Sequence, residues 1–305
     1  MTTHVVSESR LARLEGYPFE ARYSVRAEAE AVRLAELAKD AYEYFRRLFP
    51  DTEPKITARF LTPVHWPVAG YGVPAYDPFD RSLRIATEDN RFFQSFGKMA
   101  RLASPFGAYP RLKRTYADAE GRLQLRRFFD LLVVHELEHA FEHEVFATFP
   151  ALWLSEVSAN LALHAFVAMV RPSELENLTT FPEALRRIKP FNLRIRLRGY
   201  RSLEDFERHY PIGTEKPMDQ PNYGWYQVRF HTLAREVFEE GGEEALKRLW
   251  AFGRSADPRR TSPWTYFLEH NTLTGWTERT PRRELAALLG SEVSPRLGQA
   301  IAAWN

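Results

Sequence analysis

The sequence predicts an α+β fold, with a mixed α/β N-terminal lobe containing a small sheet and a mainly helical C-terminal lobe. Short segments that alternate polar and apolar residues fall mostly in the first 90 residues, the signature of half-buried strands. Longer segments with apolar residues at helical spacing dominate from residue 122 onward. No internal repeat, low-complexity tract or long linker divides the chain. Its 305 residues, 44% of them hydrophobic, therefore form one or two lobes at about 150 residues per domain. The boundary is expected between lobes 1–148 and 149–305, acting as one module.

Tyr17–Val25 reads as a strand. Residues Ala27–Phe49 place Ala31, Leu34, Leu37, Ala38, Ala41, Phe45 and Leu48 on one face among Glu and Arg, which predicts an amphipathic helix. Pro50 and Pro54 end it. Lys55–Leu61 and Leu83–Thr87 read as two more strands, separated by a turn-rich region, Pro67–Asp80. Asn90–Tyr116 mixes Gly, Pro and aromatic residues and reads as short helices and loops. Arg122–Phe146 is a long helix, apolar around most of its circumference and so expected to be buried. Pro150 separates it from a second apolar helix, Leu152–Val170, which Pro172 closes. Residues Arg171–Asn222 read as irregular apart from a short strand at Arg194–Arg198. Helices are expected again at Tyr223–Glu240, Glu243–Phe252, Thr261–Glu269, Pro281–Leu289 and Val293–Ala303.

Composition excludes several classes. Forty-two Lys+Arg against forty Asp+Glu leave a net charge of +2, too balanced for a nucleic-acid or polybasic membrane surface. With no cysteine, disulfides, thiol nucleophiles and Cys-based metal sites are excluded, so any metal must be held by His, Asp and Glu. The window Ala151–Val170 carries Glu156, Asn160 and His164, which argues for a buried helix rather than a membrane span. The N-terminus lacks signal-peptide features, giving a cytoplasmic expectation, with secretion open if a leader has been removed. No phosphate-binding Gly loop or nucleophile-elbow serine is present.

The long apolar helix carries His135-Glu136-Leu137-Glu138-His139, an H-E-x-x-H motif. Histidines at i and i+4 project from one face and can grip one zinc ion. Glu136 lies about 100° round the helix from His135. It is badly placed as a ligand but within reach of a water beside the ion, the position of a general base.

A catalytic zinc needs a third protein ligand and an open position. His143 continues the i+4 series but lies a further ~6 Å along the axis, which suits a supporting role. A third His six residues after the motif, as in metzincins, is absent, because Glu142 and Val145 stand in that stretch. Glu156, in Trp153-Leu-Ser-Glu156, lies 17 positions after His139 on the next helix, across a turn able to fold the two helices together. Its place in an apolar segment favours a ligand. Asn160 shares its face one turn on and is a candidate to hydrogen-bond His135 and fix its tautomer.

His135–His139 followed by Trp153-Leu-Ser-Glu156 resembles the gluzincin metallopeptidases, particularly the peptidase MA-like group related to thermolysin and the aminopeptidases. The usual W-L-x-E-G-x-A helix is matched except that Val157 replaces Gly; Ala159 is kept. The resemblance extends to Tyr223-Gly-Trp-Tyr226 and the helix closing at Glu240-Gly-Gly-Glu, and covers about residues 120–255. It implies a zincin-like fold and one zinc ion on His135, His139 and Glu156. It also implies Glu136 as general base and a tyrosine that stabilises the oxyanion, Tyr223 first and Tyr226 second. A peptide or protein substrate would pair with an edge strand, for which Arg81–Thr87 and Gly70–Val73 are the candidates.

The expected function is zinc-dependent peptide hydrolysis. Glu156-x-x-Ala-Asn160 also resembles the helix of ImmA/IrrE-type regulatory metallopeptidases, which cleave specific repressors. A non-catalytic binding or scaffold protein on a peptidase fold is the alternative of another class.

Overall fold

The alternating segments form a mixed five-stranded sheet in the computed structural model, which describes residues 11–66, 72, 74–103, 108–145, 149–186, 200–210, 218–255 and 282–304. Its strands are β1 (Leu11–Leu14), β2 (Glu20–Ser24), β3 (Thr57–Leu61), β4 (Ala75–Asp77) and β5 (Ser82–Ala86), in the order β1-β2-β3-β5-β4. β2, β3 and β5 are parallel, with β1 and β4 antiparallel at the two edges. The parallel step from β2 to β3 is made through α1 (Glu28–Leu48), as parallel pairing requires a crossover.

Period-two alternation gives the sheet two unlike faces. Ala21, Tyr23, Ala58, Phe60, Leu83 and Ile85 are buried on one, together with Ala31, Leu34, Ala38, Ala41 and Phe45 of α1. Each such large apolar side chain contributes about 1.5–3 kcal/mol on burial. On the other face, register aligns Arg13, Arg22, Arg59 and Arg84 in one row across four strands. Like charges placed opposite one another repel, and each arginine has its own carboxylate. The pairs are Arg13–Glu15 at 3.2 Å, Arg22–Glu20 at 2.7 Å, Arg59–Asp80 at 2.7 Å and Arg84–Asp77 at 3.5 Å.

The strand expected at the edge is interior. β5 lies between β3 and β4, so Arg81–Thr87 cannot accept an added strand, and β4 holds that edge instead. β4 has only three residues inside the turn-rich region, too few for an alternation to show. Gly70–Val73, apart from Gly72, lies outside the described residues, as do Arg194–Arg198 and Thr261–Glu269.

Ten helices are described: α1, α2 (Arg91–Ala103), α3 (Ala108–Tyr116), α4 (Arg126–Glu144), α5 (Leu152–Val170), α6 (Leu175–Leu185), α7 (Leu203–His209), α8 (Gln220–Ser255), α9 (Arg282–Glu292) and α10 (Pro295–Ala302). α4 starts later than its apolar pattern suggested because Ala117 and Leu123 bridge a turn built on Gly121, whose φ is 76°. Asp130 of α4 is buried and ion-paired at 2.5 Å with Arg33 of α1, which ties these helices together. α6 lies in a stretch that reads as irregular because Pro182 stands inside it, although Asn177, Leu178, Phe181 and Leu185 mark its buried side. α8 bends at Gly242, where φ is 58° and ψ is −149°, in agreement with the two helices expected on either side.

α5 is the centre of the helical layer, with Trp153–Val167 buried without interruption. Among the described residues it is the one helix long and apolar enough to cross a membrane, and 83% of that window is buried inside the fold. Ala151 offers no side-chain cap, and Glu207 of α7 supplies it by accepting the Trp153 N–H at 3.0 Å. One hydrophobic cluster runs from Phe19 to Trp304 and continues across residue 148.

Candidate metal centre

α4 and α5 bring the motif and Glu156 together. His135 Nε2 lies 3.3 Å from His139 Nε2 and 3.3 Å from Glu156 Oε2. The ligand atoms of all three residues fall within 4.8 Å of one another. For metal–ligand bonds of about 2.05 Å the edge of a tetrahedron is about 3.3 Å, so the two separations from His135 match that edge and the group could hold a metal ion. Two helices thus supply two imidazoles and one carboxylate as possible ligands. His135 and Glu156 are buried, at 5% and 3% exposure, so solvent does little to screen them.

The other nitrogen of His139 is held from the opposite side. Nδ1 lies 3.4 Å from Glu142 Oε2 and 3.4 Å from Ser155 Oγ. A proton on Nδ1 shared with Glu142 leaves Nε2 with its lone pair toward the cluster, the usual way a carboxylate orients a ligating imidazole. Glu142 is fixed in turn by the Ser155 hydroxyl at 2.7 Å. Glu138 is fully buried, with Oε1 accepting from Ser158 Oγ at 2.6 Å and Trp250 Nε1 at 2.9 Å and Oε2 3.8 Å from His139 Nδ1, so that Glu138, His139 and Glu142 form a second close group of possible ligands. Burial and the nearby Glu142 push the Glu138 carboxyl up to about 8. Burial alone would lower His139, but Glu142, Glu156 and Glu136 outweigh it and raise the imidazole to about 10. The surrounding carboxylates thus favour positive charge on His139.

Glu136 is turned to the sheet edge, where Oε2 accepts the Tyr76 N–H of β4 at 2.8 Å. Burial raises its carboxyl above the ordinary value, against the pull of His135, His139 and that N–H. His143 stands outside the ligand set, and its Nδ1 meets the Tyr76 hydroxyl at 3.3 Å.

Compared with family models, curated proteins and solved structures, the chain matches none. Its chemistry is therefore read from these side chains alone.

The two tyrosines separate. Tyr223 is at the site, accepting from Gln227 Nε2 at 2.8 Å. Tyr226 is not: it is fully buried, its hydroxyl donates to the Ser202 carbonyl at 2.7 Å, and its ring packs on Phe206 and Trp225. Asn160 also departs from its expected role. Its Nδ2 donates to the Glu156 carbonyl at 2.7 Å and to Gln227 Oε1 at 3.0 Å, while His135 Nδ1 and Asn160 Oδ1 have no hydrogen-bond partner. An Asn one turn after Glu156 is drawn to the free helix carbonyl and to α8 before it reaches the neighbouring helix.

Two residues at the site escaped sequence reasoning. Tyr210 donates to Glu156 Oε1 at 2.7 Å and stacks on Tyr223 with ring centroids 5.4 Å apart. Gln227 donates to Glu156 Oε2 at 2.6 Å. Against the upward push of burial, His135, His139 and Tyr210 hold Glu156 down at about 2, and it stays an anion. The i+4 spacing from Tyr223 to Gln227 was available in the sequence. Tyr210 sits in a segment whose pattern gave no helix.

Proposed function

We propose that this chain is a gluzincin-type zinc metallopeptidase on a zincin-like fold, hydrolysing peptide bonds in a peptide or protein substrate. The observation that carries the reading is the trio His135, His139 and Glu156, with His135 Nε2 3.3 Å from each of the other two and all ligand atoms within 4.8 Å, and Glu136 on the same motif bonded instead to the Tyr76 N–H. Zinc held there would supply a Lewis acid that polarises a carbonyl and acidifies water. Glu136 takes the proton from the attacking water and returns it to the leaving amine. The Tyr76 N–H keeps one oxygen of Glu136 in place during this exchange. Tyr223 donates to the substrate oxygen as it gains charge. β4, the edge strand whose backbone touches Glu136, is where an extended peptide would lie alongside the base, with the Tyr76 N–H kept by Glu136.

Metal analysis of the purified protein and assay on an unfolded protein substrate test the reading. One zinc per chain is expected. Glu136→Gln should keep the zinc and lose about 10²–10⁴-fold in rate, the usual contribution of a general base. Absence of stoichiometric metal, or an unchanged rate in Glu136→Gln, overturns it.

A further inference from the structure

Gln227 lies at the meeting point of three groups around the candidate centre. Its orientation is fixed from both ends. At one end Asn160 Nδ2 must face the Glu156 backbone carbonyl, 2.7 Å away, because the reversed amide would set oxygen against oxygen. The same Nδ2 reaches Gln227 at 3.0 Å, which requires an acceptor there and so places Oε1 toward α5. At the other end, Gln227 Nε2 is left facing two oxygens, Glu156 Oε2 at 2.6 Å and the Tyr223 hydroxyl at 2.8 Å. The carboxylate accepts only, so both ends agree on one rotamer.

We infer that Gln227 is a positioning residue with two linked effects, holding Glu156 Oε2 toward the metal position and making Tyr223 the tyrosine with a hydrogen to give. This rests on the metallopeptidase reading above. Oε2 is the oxygen 3.3 Å from His135 Nε2, so the Gln227 bond fixes the ligand oxygen itself. Oε1 is occupied by the Tyr210 hydroxyl at 2.7 Å, and the carboxylate cannot rotate without losing both bonds. The bookkeeping of hydrogens then distinguishes the stacked tyrosines. Tyr210 has spent its one hydrogen on Glu156. Tyr223 receives the Gln227 hydrogen on its oxygen, so its own O–H hydrogen is not given to that carboxylate; it is shared with the neighbouring Tyr210 hydroxyl and would pass to a substrate oxyanion, the stronger acceptor. Gln227 acts through these two groups and needs no contact with the substrate.

The test compares wild type with Gln227→Met, Tyr223→Phe and the double variant. Met keeps the length of the side chain and removes its donor and acceptor. Zinc affinity, measured by competition with a chromophoric chelator, should fall about 10–100-fold in Gln227→Met, the usual cost of losing a group that orients a ligand. It should change little in Tyr223→Phe. At saturating zinc, on a fluorogenic peptide, Tyr223→Phe should lower kcat about 10²–10³-fold, as loss of an oxyanion donor does. Gln227→Met should lower kcat at least about 10-fold with KM little changed, and add nothing further in the Tyr223→Phe background. Zinc binding by Gln227→Met as tight as wild type overturns the hold on Glu156. Multiplicative losses in the double variant overturn the action through Tyr223. A wild-type protein that takes up no zinc overturns the metallopeptidase reading and this inference with it, a result distinct from the other two.

Discussion

The hydrogen bond from the Tyr76 backbone to Glu136 can be removed without touching either side chain of the H-E-x-x-H pair. Tyr76→Pro deletes the N–H, and β4 is an edge strand, where proline is tolerated. Because the substitution also deletes the ring that meets His143, Tyr76→Ala is the matched control, retaining the N–H. The bond is 2.8 Å long and its acceptor is a carboxylate. Hydrogen bonds to charged groups contribute about 1.5–3 kcal/mol. Because that N–H holds the carboxyl down, its loss raises Glu136 further above its ordinary value. Glu136 works as an anion and loses activity as pH falls through its pKa, so a higher pKa moves the acid limb of the pH–rate profile toward neutrality. The assay is kcat/KM against pH for both variants, with thermal melts to establish that each is folded. A folded Tyr76→Pro protein whose acid limb coincides with that of Tyr76→Ala would refute the role given to this backbone group.

His139 is raised to about 10, so zinc binding at its Nε2 should displace the proton there and release close to one proton per ion near neutrality. Affinity should then rise about tenfold per pH unit from pH 6 to 8, and a pH-independent titration by calorimetry would contradict this. His164 and His231 are 5% and 8% exposed and line a cavity with Thr179, Glu183 and Arg235. Burial, with Arg235 nearby, lowers His164 to about 4, and burial, with His135 and His164 nearby, lowers His231 to about 3. Below pH 6.5 the unfolded chain takes up protons that the folded chain refuses, so stability falls as pH drops from about 6.5 to 4, by about 3 kcal/mol for His164. Denaturant melts of His164→Leu should show a flatter acid limb than wild type, and an identical slope would count against the assignment. Tyr226→Phe loses only the bond to Ser202 and should cost about 0.5–1.5 kcal/mol of stability while zinc affinity stays unchanged; a weakened zinc site in that variant would place Tyr226 nearer the centre than its geometry does.

Spacing alone reveals the residues whose partners lie on the same helix, while Glu156 and Tyr223 are reached through an apolar setting and a family resemblance. His135, Glu136 and His139 follow from i, i+1 and i+4 geometry, and α5 shows its burial through an unbroken apolar run. Contacts between distant elements carry no such spacing. Tyr210 and Gln227 reach Glu156 across 54 and 71 positions. Tyr223 and Tyr226 lie three residues apart, about 60° round the helix, and only packing separates the one facing Glu156 from the one facing Phe206. β4 escaped notice because three residues cannot show a period, yet it supplies the backbone contact to the base. Pro182 hid α6 by being the residue that ordinarily ends a helix.

The arginine row on the outer sheet face gives a different meaning to the chain's charge balance. Its partners lie within 3.5 Å, well inside a screening length of about 8 Å at physiological salt. From solvent the face is a lattice of dipoles whose field dies away faster than that of any single charge. Along this row, electroneutrality is achieved pair by pair, and is not a sum over distant patches. Neutralising one acid, such as Asp80, would remove one of the four carboxylates that balance this arginine row.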